Sequence, residues 1–148
     1  MSVEKYNTNL AAEYYVLSVL HRLGADANLT LGNKKSVDIV VARDAGDAVT
    51  VDVKGLAGRT SWPVDNIKAG RPNHFLVFVC FLDRIRDPSV TPEVYVVPSE
   101  RVADFTYTSP GAAKRKVVEL RVLRKREDAK EFRDGWHLIL TKQENHTR

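Results

Sequence analysis

Two short runs rich in β-branched residues, Ser36–Arg43 (SVDIVVAR) and Ala48–Gly55 (AVTVDVKG), lie on either side of Asp44-Ala45-Gly46. Composition of this kind predicts two strands, and the Asp-Ala-Gly segment has the chemistry of a tight hairpin turn. With Gly46 in the left-handed conformation that closes a three-residue loop, the hairpin is centred on residue 45. Positions equidistant from that centre pair, so Asp38 faces Asp52 with Cβ atoms roughly 4.5–5.5 Å apart. Residues two apart in a strand share a face, which sets Lys54 beside Asp52. Like charges across a ladder repel unless a proton or a cation lies between them, so the arrangement invites a metal.

The plain alternative is that Thr50, Asp52 and Lys54 form the solvated face of an amphipathic strand. Asp38 resists that treatment, because its row is expected to contain Val40 and Ala42. Glu13 is a second exception. Residues 9–23 predict a helix ending at Gly24, with Leu10, Val16, Leu17, Leu20 and Leu23 on one broad arc and Tyr15 and Arg22 opposite. Glu13 falls inside that arc, where a carboxylate needs a partner.

Ala27–Leu31 predicts a short leading strand that turns at Gly32-Asn33. Gly55–Asn73 is punctuated by glycine and proline and predicts a long loop able to line a groove. Arg59, Lys68 and Arg71 in it are placed to meet phosphates. Trp62, before Pro63, either stacks on an unpaired base or anchors the loop by packing. His74–Leu82 predicts a strand buried on both faces, and Glu93–Val97 another strand of the same sheet. Ser99 is a candidate cap for a helix reaching Asp104. The last third is ambiguous between helix and strand until Trp136–Leu140, expected as a strand or a core-packing tail. The expectation is a single domain over 1–148, without repeats.

The net charge of +4 is concentrated at the C-terminal end: from Gly111 to Arg148 there are eleven Lys or Arg against six Asp or Glu. The cluster Lys114, Arg115, Lys116, Arg121, Arg124, Lys125 and Arg126 either tracks phosphates or forms a solvated face. Cys80, the single cysteine, lies in FLVFVCFL and predicts an inert buried thiol. The four histidines have no zinc-ligand spacing. No apolar run approaches the roughly 20 residues that span a bilayer, and MSVEKYNTNL has no secretory apolar stretch, so a cytoplasmic protein without a membrane partner is expected.

A helix with the stretch AAE, then Asp38 in SVDIVV, then Asp52-Val53-Lys54 in VTVDVKG resembles the motif of the PD-(D/E)XK phosphodiesterase superfamily. The likeness is greatest to archaeal-type Holliday-junction resolvases and restriction-enzyme-like members, whose fold tRNA endonucleases share. It covers about the first 55 residues, with Val37 where the motif has proline. The resemblance implies an α/β, restriction-endonuclease-like three-layer fold, in which a mixed central sheet is flanked by helices after an αβββ start. It also implies a nuclease acting on nucleic acid, DNA before RNA. Asp38, Asp52 and the main-chain carbonyl of Val53 would hold Mg²⁺ or Mn²⁺, Lys54 would orient the attacking water, and Glu13 would hold a water or a second metal. A homodimer is compatible with this reading. The alternative is an inactive nucleic-acid-binding or accessory module of the same fold.

Overall fold

The computed structural model describes residues 3–30, 38–67 and 70–141. The Gly32-Asn33 turn and Lys68 lie outside them. The fold is α/β with a mixed central sheet. Helix α1 (Val3–Arg22) leads into β1 (Asp26–Leu29), β2 (Ile39–Ala42) and β3 (Ala48–Leu56). β4 (Ser61–Pro63) lies within the glycine-rich stretch, and β5 (His74–Cys80) and β6 (Glu93–Pro98) follow. After a 3₁₀ segment (Ser99–Phe105) come β7 (Thr106–Thr108), β8 (Lys116–Glu119), α2 (Leu120–Lys125), a second 3₁₀ segment (Glu127–Phe132) and α3 (His137–Leu140).

The central sheet has the order β1-β2-β3-β5-β6, antiparallel except for the β3–β5 pair, and a smaller sheet has the order β4-β8-β7. The β2–β3 register is the one a loop centred on residue 45 dictates, from Ala42↔Ala48 to Ile39↔Val51. Gly46 has φ +86° and donates to the Arg43 carbonyl, which closes the turn.

α1 begins six residues before the expected Asn9 start, and Thr8 lies inside the helix, where it donates its hydroxyl to the Glu4 carbonyl. Its buried residues are Thr8, Ala12, Glu13, Val16 and Leu20, whereas Leu10 and Leu17 are only partly buried and Leu23 is exposed. The helix is therefore rolled by roughly 50° from the leucine arc. The cause is a close contact: a Cβ built on Gly55 would lie 2.9 Å from the Thr8 carbonyl oxygen and 3.0 Å from Ala12 Cβ. Small residues on both sides bring the α1 backbone down onto β3, and Tyr15, expected outside, packs against the core.

Gly55 faces α1, so Lys54 and its β5 partner Phe78 face the other way. That second face is covered by the small sheet, whose Trp62 ring centroid lies 5.2 Å from that of Phe78. β5 is buried along its whole length. Ser99 is not a helix cap; its hydroxyl accepts from the Arg71 amide and donates to the Arg71 carbonyl, both at 3.0 Å. Trp136–Leu140 is not a strand: residues 137–140 form a short helix that buries Leu138 and Ile139. Among the described residues no helix is long and apolar enough to cross a membrane.

Candidate metal and nucleic-acid site

The antiparallel ladder ends at Ile39↔Val51. At the next residue the Asp38 amide donates to the Val51 carbonyl at 3.0 Å, a slip of one position. Asp38 therefore does not face Asp52 across a regular pair. Its Oδ2 instead accepts the Val53 amide at 2.7 Å, the nitrogen of the peptide that joins Asp52 to Val53. Two carboxylates directly opposite would repel, whereas a carboxylate turned onto an amide gains a charge-assisted hydrogen bond. The sequence brings Asp38 to the Asp52-Val53-Lys54 segment, but through the strand backbone.

The row on which Asp38 lies is also less apolar than expected. Val40 is half-buried, Ala42 is exposed, and Thr50 across from Val40 is half-buried. Burial therefore does not single out Asp38; its bond to Val53 does.

Asp52 has a partner that spacing did not reveal. His74 Nε2 lies 2.9 Å from Asp52 Oδ2, with the imidazole side chain 1% exposed and that of Asp52 26% exposed. Parallel pairing of Thr50 with His74 brings them together. The available signal was a lone histidine at the head of an otherwise apolar strand, the same kind of exception as Asp38 and Glu13. Without the β3–β5 register it could not be connected to Asp52.

Even-numbered residues of β3 bond to β5, as the Thr50 amide does to the Asn73 carbonyl. The N–H and C=O of any one strand residue point to the same side, so the Val53 carbonyl faces the β2 side, where Asp38 sits. Glu13 is 9% exposed on the sheet-facing stripe of α1, one turn beyond Asn9. Lys54 borders an open groove of about 570 Å³ together with Lys5 and Asn9 of α1, Asn66 and Arg115. Arg115 is fixed there by Asp65, whose carboxylate accepts the Arg115 Nε–H at 3.0 Å and the Lys116 amide at 2.7 Å. These two bonds, the amide's first, hold the Asp65 carboxyl below its ordinary range.

The residues expected to contact nucleic acid fare differently. Trp62 is fully buried and donates Nε1–H to the Val79 carbonyl at 3.1 Å, so it anchors the loop and stacks on no base. Arg59 is exposed, 3.7 Å from Asp83. Arg71 is half-buried, its main chain clamped by Ser99. Much of the basic C-terminal cluster is engaged by acids: Arg121 by Glu119, Arg124 by Glu93 and Arg126 by Asp128. Only Arg115 of that cluster borders the groove beside Lys54. Cys80 is buried, as expected, and burial pushes its thiol pKa up.

No protein-family model matches the sequence, and no curated protein matches it significantly. Among solved structures the chain is similar to a bacterial homing endonuclease, I-Ssp6803I, with a TM-score of 0.57 and 19% identity over 90% of this chain and 88% of that one. The two share a fold.

Proposed function

We propose that this protein is a metal-dependent nuclease of PD-(D/E)XK type that cuts DNA. The observation that carries the reading is the Asp38 carboxylate bonded to the Asp52–Val53 amide. That bond brings the Asp38 carboxylate to the peptide that follows Asp52 and precedes Lys54, which supports a site shared by these residues. The likeness to a homing endonuclease supports DNA as the substrate.

The donor set fits the implied cation. Carboxylate and carbonyl oxygens are hard ligands that suit Mg²⁺ or Mn²⁺, and Mg²⁺ commonly needs only one or two protein carboxylates. Asp38, Asp52 and the Val53 carbonyl would hold it. When bound, such an ion lowers the pKa of a coordinated water and offsets charge on a phosphate. Lys54 shares the Asp52 face and supplies fixed positive charge where negative charge develops at phosphorus, and it orients the attacking water. Glu13 holds a second water from the helix side. Lys5, Asn9 and Arg115 carry the sugar-phosphate backbone along the groove, taking the place of Trp62 in the interface.

The test is incubation with Mg²⁺ or Mn²⁺ and a panel of linear, single-stranded, flapped and branched DNA and RNA. Cleavage is expected with metal, none with a chelator, and none from Asp52→Ala or Lys54→Ala. Cutting that survives both substitutions overturns the reading.

One observation favours a second reading. Asp52 Oδ2 is already held by His74, as a purely structural carboxylate would be. A binding module of the same fold would cut no substrate yet bind DNA with a steep salt dependence.

A further inference from the structure

We propose that His74 is a positioning residue that fixes the orientation of Asp52 toward a divalent cation; this rests on the metal-site reading above. The imidazole is almost wholly buried at the start of β5, on the same face as Thr50 and Asp52, with Nε2 2.9 Å from Asp52 Oδ2. A carboxylate only accepts, so in the neutral ring Nε2 carries the hydrogen and Nδ1 the lone pair. Nδ1 is buried and has no hydrogen-bond partner among the described residues.

That half-satisfied ring is a poor choice for stability alone, since a buried polar atom without a partner opposes folding and an apolar side chain would avoid the cost. The entry to β5 is demanding as well. Asn73, just before the histidine, has φ 55°, and its carbonyl accepts the Thr50 amide at 3.0 Å. The chain thus spends a left-handed residue and an unpaired nitrogen to deliver one N–H to one oxygen of Asp52. Carboxylates that bind metals are held in this way by neighbouring hydrogen bonds.

The experiment titrates the full chain with Mn²⁺ by calorimetry and follows DNA cleavage at low and saturating metal, beside thermal melts. His74→Leu is expected to weaken Mn²⁺ binding about 10- to 100-fold. Its cleavage falls at low metal and returns at saturating metal, while its melting temperature holds or rises. In His74→Gln the amide reaches the place of Nε2, and most of the affinity returns. Should His74→Leu not fold, His74→Asn keeps a polar side chain too short to reach Oδ2, and it loses affinity as leucine does. His74→Leu or His74→Asn binding Mn²⁺ as tightly as the wild type, while Asp52→Asn does not bind, overturns the positioning role and leaves the metal site standing. Wild-type protein that takes up no Mn²⁺ overturns the metal site itself.

Discussion

Glu93 on β6 and Asp52 on β3 project from the same face of the central sheet with β5 between them, yet their neighbours differ in charge. Glu93, 6% exposed, accepts from the Tyr95 hydroxyl at 2.6 Å and from Arg124 Nη2 and Nε at 2.8 and 2.9 Å, with Arg133 at 3.8 Å. The Arg124 fork holds its pKa below the ordinary value, and burial, ahead of the Glu93 bond, pushes that of Tyr95 up. Asp52 is held by the His74 imidazole, and Asp38 accepts the Val53 backbone amide. The first cluster serves the fold, and on the proposed reading the second serves a ligand.

The largest expected effect lies at the second cluster. Asp52→Asn keeps the shape and removes the charge, and cleavage should fall about 10³-fold, roughly 4 kcal/mol of transition-state stabilisation. Its urea midpoint should stay near that of the wild type. Equal losses of activity and stability would erase the contrast. At the first cluster the order reverses. Arg124→Leu leaves the buried Glu93 carboxylate only Tyr95 and Arg133 among its described partners and should cost about 1–3 kcal/mol in urea unfolding with Mn²⁺ affinity unchanged.

The same pair sets an acid limb. Because the folded-state pKa of Glu93 is depressed, the unfolded chain binds more protons as the solution is acidified. The stabilisation is full above the ordinary carboxylate range and is lost as pH falls through it toward the lower folded value. Arg124→Leu should flatten that limb in urea midpoints measured across acid pH.

How much of this was legible in the sequence follows from which contacts are local. The hairpin register came from numbering alone, because a turn with Gly46 at its end admits one pairing, and Ile39↔Val51 obeys it. Its last step did not, since the slip at Asp38 depends on a carboxylate preferring an amide to another carboxylate. Helix α1 was legible as a helix, but its roll was not: leucine positions suggested one face, and contact with Gly55 selected another. His74 and Arg124 were out of reach for one reason. Each meets its acid only through pairings between distant segments, His74 by the parallel β3–β5 register and Arg124 across 31 residues. Trp62 shows the converse, because its neighbours in sequence are loop residues and its partners, Phe78 and the Val79 carbonyl, belong to the core.

The contact that sets the roll of α1 also sets how near Asn9 lies to Lys54. Gly55→Ala would place a Cβ 2.9 Å from the Thr8 carbonyl oxygen, which is backbone and yields only if the helix moves. Overpacking of this kind costs about 1–3 kcal/mol. A thermal melt reads that loss, and cleavage should fall with it because the helix side of the groove shifts. A variant with unchanged stability would mean that the roll has another cause.

The smallest effect separates the two uses of arginine outside the acidic clusters. Arg115 borders the groove beside Lys54 and donates its Nε–H to Asp65. Arg126 is equally basic, but it pairs with Asp128 at 2.6 Å and lies 4.5 Å over the Phe105 ring. Arg115→Ala should weaken DNA binding by about 1 kcal/mol and lower the slope of log K against log salt by about 1, as expected when one phosphate contact is lost. Arg126→Ala should leave the slope unchanged, because Arg126 lies over the Phe105 ring and does not border the groove. Equal slopes for the two variants would mean that net charge alone draws DNA to this protein, and that the groove beside Lys54 does not define its path.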